Sequence, residues 1–182
     1  EQGHAPAQCN LGNMYHAGHG AGVNYKKAIE GLEKAAQQGH AEAQYSLAAM
    51  YGQGRGVDVN NKKAFEWCKK AAEQGLANAQ CNLGVMYENG QGVDVNYKKA
   101  IELYEKAAEQ GHASAQYNMG IMYNNGQGVD VKYKKAIDWF EKAAEQGHVL
   151  AQCNMGIMYY HGEGVGVNYK KAIEWLEKAA KQ

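Results

Sequence analysis

The chain has 182 residues, with 19 Lys plus Arg against 19 Asp plus Glu, and therefore no net formal charge. This balance lacks the basic excess of a nucleic-acid-binding protein, so no nucleic acid is expected as a partner. No apolar run approaches the ~20 residues of a membrane-spanning helix, so no membrane insertion is expected either. The 23 glycines stand against a single proline, and they recur at a fixed interval.

The sequence consists of five units of 36 residues, without insertion or deletion, and two further residues. The units cover residues 1–36, 37–72, 73–108, 109–144 and 145–180 of a single repeat domain, 1–182. Periods of this length are typical of solenoids, in which each unit is one supersecondary structure. Because the chain begins at Glu1 rather than Met and stops just after the fifth unit, we expect it to be cut from a longer array.

The first half of each unit predicts a helix, over residues 4–16 in unit one. Apolar Ala7, Leu11, Met14 and Tyr15 follow the spacing of a buried helical stripe. A glycine then supplies the left-handed residue that ends a helix. The five equivalent glycines are Gly18, Gly54, Gly90, Gly126 and Gly162. Pro6 falls in the first turn of its helix, where a missing N–H costs little.

The second half of each unit predicts another helix, which in unit one has Ile29 and Leu32 on its apolar face and ends at Gly39. An asparagine precedes Lys-Lys-Ala at the position of an N-cap. These asparagines are Asn24, Asn60, Asn96 and Asn168. Lys132 replaces the asparagine in unit four, so that helix should start less securely. Paired helices without any strand pattern predict an all-α fold of about ten helices.

The run A-Q-x-x-L-G-x-x-Y-x-x-G-x-G-V, followed by K-K-A-x-x-W and K-A-A-E-Q-G, resembles the Sel-one-like repeat (SLR) family. In units three and four the match is carried by Ala79, Gln80, Leu83, Gly84, Tyr87, Gly90, Gly92, Val93, Lys99, Ala100, Ala107, Ala108, Gln110 and Gly111. The resemblance implies a right-handed superhelical α/α solenoid like that of tetratricopeptide repeats. Unit two departs from the pattern, with Ala48 for glycine, Asn61 for tyrosine and Cys68 at an aromatic position.

Positions that vary while the repeat frame stays constant indicate a binding surface. Spacings of three and four place most of those on the first helix on one face. In tetratricopeptide-like solenoids the matching face lines a concave groove, so the resemblance implies that these side chains meet a partner. The predicted partner-binding residues are Asn13, His16, Glu42, Tyr45, Ala49, Asn78, Cys81, Val85, Glu88, Ser114, Tyr117, Ile121, Asn124, Leu150, Cys153, Ile157 and Tyr160.

Several of these residues are apolar, as is typical of a binding patch. The alternative is neutral drift at solvated positions, against which the expected exposure of Ile121 and Ile157 argues. The Lys-Lys pairs, such as Lys26 and Lys27, predict a solvated basic stripe along the second helices.

Cysteines and histidines do not predict a covalent or metal framework. Cys9, Cys81 and Cys153 occupy the same position two units apart, far beyond the ~7 Å limit between bridged Cα atoms. Free thiols favour a reducing, cytoplasmic compartment. One histidine per unit forms a row in which neighbours are too far apart to share an ion, so no metal is expected. These histidines are His4, His40, His112 and His148.

No phosphate-binding loop, dinucleotide motif or catalytic triad pattern occurs, so the sequence predicts neither an enzyme nor a cofactor. It predicts a scaffold or adaptor that binds a protein or peptide partner on its concave face. The alternative is a structural solenoid, designed or truncated, that associates end to end. That alternative depends on apolar residues with no further unit to cover them, namely Leu11 and Tyr15 at one end and Ile173, Trp175 and Leu176 at the other.

Overall fold

The computed structural model describes residues 3–20 and 22–182, and within these ranges it contains ten α-helices and no strand. The helices are α1 Ala5–Ala17, α2 Tyr25–Gln37, α3 Ala41–Gln53, α4 Asn61–Glu73, α5 Ala77–Asn89, α6 Tyr97–Glu109, α7 Ala113–Asn125, α8 Tyr133–Glu145, α9 Val149–His161 and α10 Tyr169–Ala180. The predicted all-α fold of about ten helices is confirmed. No helix in the described part of the chain is long and apolar enough to cross a membrane.

Backbone contacts group the helices into two compact units, residues 1–95 and 96–182. In the first unit α1 packs on α2, α2 on α3, α3 on α4 and α4 on α5. In the second unit α6 to α10 pack in the same consecutive manner. Each helix therefore buries its apolar face against its neighbours in sequence, because a single helical hairpin is too small to bury its own.

The predicted helix ends are confirmed. The five glycines that end the first helices have φ between 68° and 76°, which is left-handed backbone. The side chains of the four predicted asparagines each accept a hydrogen bond from the backbone N–H three residues later, at 2.9 to 3.0 Å. Lys132 makes no such bond, so α8 starts without a side-chain cap.

The first helices have histidine caps, a role that the sequence analysis did not assign. The Nδ1 atoms of four histidines accept backbone N–H groups three residues later, at 3.2 to 3.3 Å. They are His4, His40, His112 and His148. Leu76 occupies this position before α5 and makes no side-chain cap. The row of histidines therefore serves the helix starts, since an acceptor there satisfies a backbone donor that has no partner within the helix.

The apolar stripe predicted to be buried on the first helix of repeat one is mostly exposed, so this prediction is wrong for that repeat. Ala7 and Met14 are exposed, and Leu11 is 51% exposed, whereas the equivalent Leu47 is 0% exposed. Leu47 and the equivalent of Met14 join one core cluster with Ile29 and Leu32 of the preceding hairpin. These first-helix positions thus bury themselves against the previous hairpin, and α1 has no previous hairpin in this chain.

A buried glutamine ties each hairpin to the one before it. In the second unit Gln116 Nε2 donates to the carbonyl of Ala108 at the end of α6, at 3.2 Å. The oxygen of the same amide accepts from Gln146 Nε2, at 2.7 Å, just after α8. Gln44 and Gln152 make equivalent pairs of bonds. One buried amide therefore connects three helix segments, and it gives a second hydrogen bond to a carbonyl that already accepts from the Gly111 backbone N–H at 3.0 Å.

Replacing this glutamine should destabilise the fold strongly. We expect Gln116→Ala to lower the free energy of unfolding by about 2 kcal/mol, because two hydrogen bonds of a buried amide are lost, one to the Ala108 carbonyl and one from Gln146 Nε2. Urea denaturation followed by circular dichroism measures the loss. Gln8→Ala is the matched control, since Gln8 is only half-buried and its bond to Gln38 is exposed. Equal losses in the two variants would contradict this role of the buried amide.

The histidine caps should make stability depend on pH. Burial lowers the pKa of His112 and His148, and protonation of Nδ1 would abolish each cap. The unfolded chain then binds more protons than the folded one below the ordinary histidine pKa of about 6.5, so stability is complete above that pH and falls as the pH drops.

Replacing both histidines with asparagine, which caps at any pH, should flatten this dependence. Between pH 7.5 and pH 5 we expect the wild type to lose about 1 kcal/mol per cap more than His112→Asn/His148→Asn. Thermal or urea unfolding at each pH measures the slope. Parallel slopes for the two proteins would show that these caps do not control the response to pH.

Candidate partner-binding surface

The predicted binding residues lie on the first helices of the repeats, which are α1, α3 and α5 in the first unit and α7 and α9 in the second. Within each unit we call the side of these helices that carries the predicted residues its first-helix surface. The exposed ones are Asn13, Glu42, Asn78, Ser114, Leu150, Ile157 and Tyr160. The half-buried ones are His16, Tyr45, Ala49, Val85, Glu88, Tyr117, Ile121, Asn124 and Cys153. Ile121 packs against the core of the second unit, so it is only partly exposed, although the sequence predicted an exposed side chain.

Cys81 does not belong to this surface. It is only 4% exposed, and burial raises the pKa of its thiol to about 11. The equivalent positions hold Tyr45 and Tyr117, whose longer side chains carry a hydroxyl away from the backbone. In α5 the cysteine at this position ends beneath the surface, whereas the equivalent Cys153 in α9 is half-buried, so the assignment of Cys81 as a contact residue was wrong.

In the second unit the predicted residues of the first-helix surface are uncharged, and those on α9 include exposed apolar side chains. Leu150, Ile157 and Tyr160 on α9 are 56%, 46% and 55% exposed. The Tyr160 ring lies 5.5 Å from the exposed ring of Tyr169, in an edge-on arrangement. About half of each of these large apolar side chains remains in contact with water. Grouped on one helix, they mark a contact patch.

Tyr117 and Tyr45 are held by specific contacts. The Tyr117 ring stacks on His148 at 4.6 Å between centroids, and the Tyr45 hydroxyl accepts from Asn82 Nδ2 at 3.0 Å. Burial raises the pKa of both phenols. They are therefore neutral, positioned rings that can stack on a partner and hydrogen-bond at the edge.

In the first unit the first-helix surface is indented. Tyr45, Ala49 and Gln53 run along α3 and separate two cavities, of about 180 Å³ towards α1 and about 290 Å³ towards α5. Beside the smaller cavity, Arg55 and His16 lie 3.0 Å apart through side-chain nitrogens. The ridge and its two depressions offer side-chain-sized recesses rather than a flat face. Sequence analysis did not foresee them.

The lysine stripe of the second helices is exposed, as predicted. The second lysine of a pair also lies over the tyrosine ring of the same hairpin, as Lys27 does over Tyr15 at 5.2 Å and Lys171 over Tyr159 at 5.0 Å. Cation–π contacts at exposed sites contribute about 0.5–1 kcal/mol each. The stripe therefore stabilises the hairpins and is a weak candidate for partner contacts.

Among the residues that the structure describes, one group of side chains could hold a metal ion, whereas no metal was expected from the sequence. The ligand atoms of Cys9, His40 and Glu42 lie within 4.8 Å of one another. Two features oppose metal binding. His40 Nδ1 already caps α3, and burial together with the Glu42 charge raises the pKa of the Cys9 thiol. A metal ion would have to compete with the cap and deprotonate the thiol.

All four cysteines are free thiols, in line with the absence of a predicted disulfide framework. Cys9, Cys68 and Cys81 are buried and Cys153 is half-buried. The thiols are therefore mainly small apolar core groups.

The five repeats match a known family of repeats. The family model for the Sel1 repeat matches five successive segments, residues 5–40, 41–76, 77–112, 113–148 and 149–182. The chain belongs to the Sel1 repeat family. Sel1 repeats are generally protein-interaction scaffolds and typically not enzymes. No curated protein matches the sequence.

Solved structures share the Sel1 repeat architecture closely. The protective antigen c5321 of uropathogenic Escherichia coli strains, which displays an SLR fold, is 41% identical with a TM-score of 0.95, covering 98% of this chain and 38% of that one. A Sel1 repeat protein from Oxalobacter formigenes is 34% identical with a TM-score of 0.95, covering 99% of this chain and 72% of that one. This chain thus spans less than half of the E. coli protein.

A more distant structure shares the fold alone. The immunity protein Pa5087 from Pseudomonas aeruginosa is 22% identical with a TM-score of 0.65, and the match covers 99% of this chain and 69% of that one.

Proposed function

We propose that the chain is a non-enzymatic adaptor whose first-helix surface binds a segment of a partner protein. The observation that carries this proposal is the exposure of Leu150, Ile157 and Tyr160 side by side on α9. Burying them in an interface would gain roughly 25 cal/mol for each Å² removed from water.

The composition of the surface indicates the chemistry of the partner. None of the predicted residues on α7 and α9 carries a charge, so an ionised side chain buried there would lack a countercharge. The positioned Tyr117 ring and the exposed Tyr160 ring are anchor residues of the type that dominates binding energy at interfaces. The partner segment is therefore uncharged at its centre and carries apolar side chains.

The test is peptide selection followed by affinity measurement. A phage-displayed peptide library is selected on the immobilised full chain, and the strongest peptide is measured by fluorescence polarisation. We expect Ile157→Ser/Tyr160→Ser to weaken its affinity at least tenfold, equivalent to about 1.4 kcal/mol, because both side chains are exposed before binding.

Val131→Ser is the matched control for this test. Val131 is also an exposed apolar residue of the second unit, but it lies in the turn between α7 and α8. Its replacement should leave the affinity unchanged. The adaptor proposal fails if no peptide is selected, or if the double variant keeps its circular dichroism spectrum and binds as tightly as the wild type.

A second candidate function is end-to-end association with another copy of the chain. Leu11 is 51% exposed on α1 and Ile173 is 57% exposed on α10. Inside the chain the equivalent positions, for example Leu47 and Ile29, are buried in one cluster. The two exposed faces are therefore complementary to each other, which is the condition for a head-to-tail contact between copies.

Sedimentation equilibrium tests this association. We expect the apparent mass to rise between micromolar and millimolar protein, and Ile173→Glu to abolish the rise by placing a charge in the contact. Leu150→Glu, on the first-helix surface, should leave it intact. A strictly monomeric wild type over the whole range would overturn the proposal.

A further inference from the structure

We propose that the cavity between α3 and α5 is a receptor for one tyrosine side chain of the partner segment. The proposal rests on the adaptor function and names one chemical group that the partner presents. It concerns residues of the first unit, whereas the residues whose substitution tests the adaptor function are on α9 in the second unit. We call this cavity of about 290 Å³ the repeat-two pocket. It is lined by Tyr45, Ala48, Ala49, Gly52, Gln53, Asn61, Ala64, Cys68, Asn82, Val85, Met86 and Gln91.

The pocket lies where repeat two has lost side-chain volume. Asn61 stands where the other four repeats have tyrosine, and Cys68 stands where they have leucine, tyrosine or phenylalanine. Gly52 occupies a position at which the other repeats have His, Glu, Asn or Tyr. All three small residues line the same cavity. The cavity is therefore the space that an aromatic or large aliphatic group of the chain itself fills elsewhere.

A second substitution shows how the core adjusts to this loss. In repeat four Phe140 lies so close to Gly120 that a Cβ on the glycine would meet its ring. In repeat one a Cβ on Gly12 would likewise lie only 2.8 Å from Leu32 Cγ. Ala48 stands at the equivalent position in repeat two, which only the short Cys68 side chain allows. Ala48 and Cys68 thus form a matched pair that keeps the core packed and leaves the outer part of the space open.

The lining of the pocket selects a neutral group with one polar end. Its walls include Ala48, Ala64, Val85 and Met86, and no residue of the lining carries a charge. An ionised side chain would be desolvated there without a partner. The volume lies just below the range of small-molecule sites, so it suits one large side chain.

Polar groups in the lining favour tyrosine over phenylalanine. The lining includes the amides of Gln53, Asn61 and Gln91. Amide groups can donate to or accept from a phenolic hydroxyl. A phenylalanine ring would cover these amides without replacing their hydrogen bonds to water, which costs binding energy.

The Cys68 thiol lines the pocket and does not act as a nucleophile. Cys68 is 1% exposed, its Sγ donates to the carbonyl of Ala79 at 3.3 Å, and burial raises its pKa to about 12. The protonated thiol is an apolar contact for a ring, and the pocket therefore binds without covalent chemistry.

Titration of the full chain with p-cresol, the side-chain analogue of tyrosine, tests the pocket directly. Methyl NMR follows Ala48, Ala64, Val85 and Met86. We expect saturable shifts at these methyls with a dissociation constant on the order of 1 mM, corresponding to about −4 kcal/mol for a small ligand. Toluene should bind at least threefold more weakly, and 4-methylbenzylammonium should not bind.

Filling the pocket from within should remove this binding. Ala48→Gly/Cys68→Leu gives repeat two the pair found as Gly12 with Leu32, so the core has a precedent in this chain. We expect at least a tenfold loss of p-cresol affinity with an unchanged circular dichroism spectrum. Gly52→Tyr is the second variant, for use if the double variant does not fold. The equivalent residue in repeat five, Tyr160, is exposed, so a tyrosine at position 52 should cover the mouth of the pocket and cause the same loss of affinity. Cys9→Ala, a loss of a thiol outside the pocket, is the control and should bind normally.

The possible results separate this proposal from the adaptor function. Equal or tighter binding of toluene would overturn the assignment of tyrosine. Unchanged p-cresol affinity in folded Ala48→Gly/Cys68→Leu or Gly52→Tyr, or no shift at the four methyls in the wild type, would overturn the pocket itself. Peptide selection that fails while p-cresol binds would reject the adaptor function and leave the pocket as a site for phenols.

Discussion

The structure depends on the buried glutamines that hydrogen-bond one hairpin to the end of the hairpin before it. A buried amide left without partners costs roughly 1–3 kcal/mol, so each of these glutamines holds its two partners in place. The buried amide of Gln116 meets the carbonyl of Ala108, while its oxygen holds Gln146. Gln44 repeats the arrangement in the first unit. Adjacent hairpins are therefore held together by apolar packing and by hydrogen bonds of the buried glutamines. These hydrogen bonds fix the position of the next hairpin.

Once glutamine, glycine and alanine hold this frame, other positions can vary without loss of the fold. Variation has different results in the two units. On α9 it leaves Leu150, Ile157 and Tyr160 exposed. In repeat two it removes volume at Asn61 and Cys68 and opens a cavity. A fixed frame with local variation is the general means by which repeat proteins acquire individual binding surfaces. Both features thus come from side chains that the hairpin interface does not constrain.

Much of the candidate site could be predicted from the repeat pattern, and the failures have identifiable causes. Helical spacing placed Ile157 and Tyr160 on one exposed face, because that face depends only on the period of the helix. It also placed Cys81 there, since spacing ignores how far a side chain reaches. The histidine caps had a sequence signal, one histidine immediately before each of four first helices, but histidine is not among the usual N-cap residues.

The sequence by itself determined the paired helices of each repeat, their asparagine caps, their glycine ends and the all-α class, because these follow from local periodicity and backbone hydrogen bonding. Only the tertiary structure decided which chemically identical positions are buried. Leu11 and Leu47 share a local motif, yet one is exposed and the other buried, because burial requires a neighbouring hairpin. The pocket at Ala48 and Cys68 likewise exists only where α3, α4 and α5 meet. Residues distant in the chain supply its walls, and no short segment encodes the space between them.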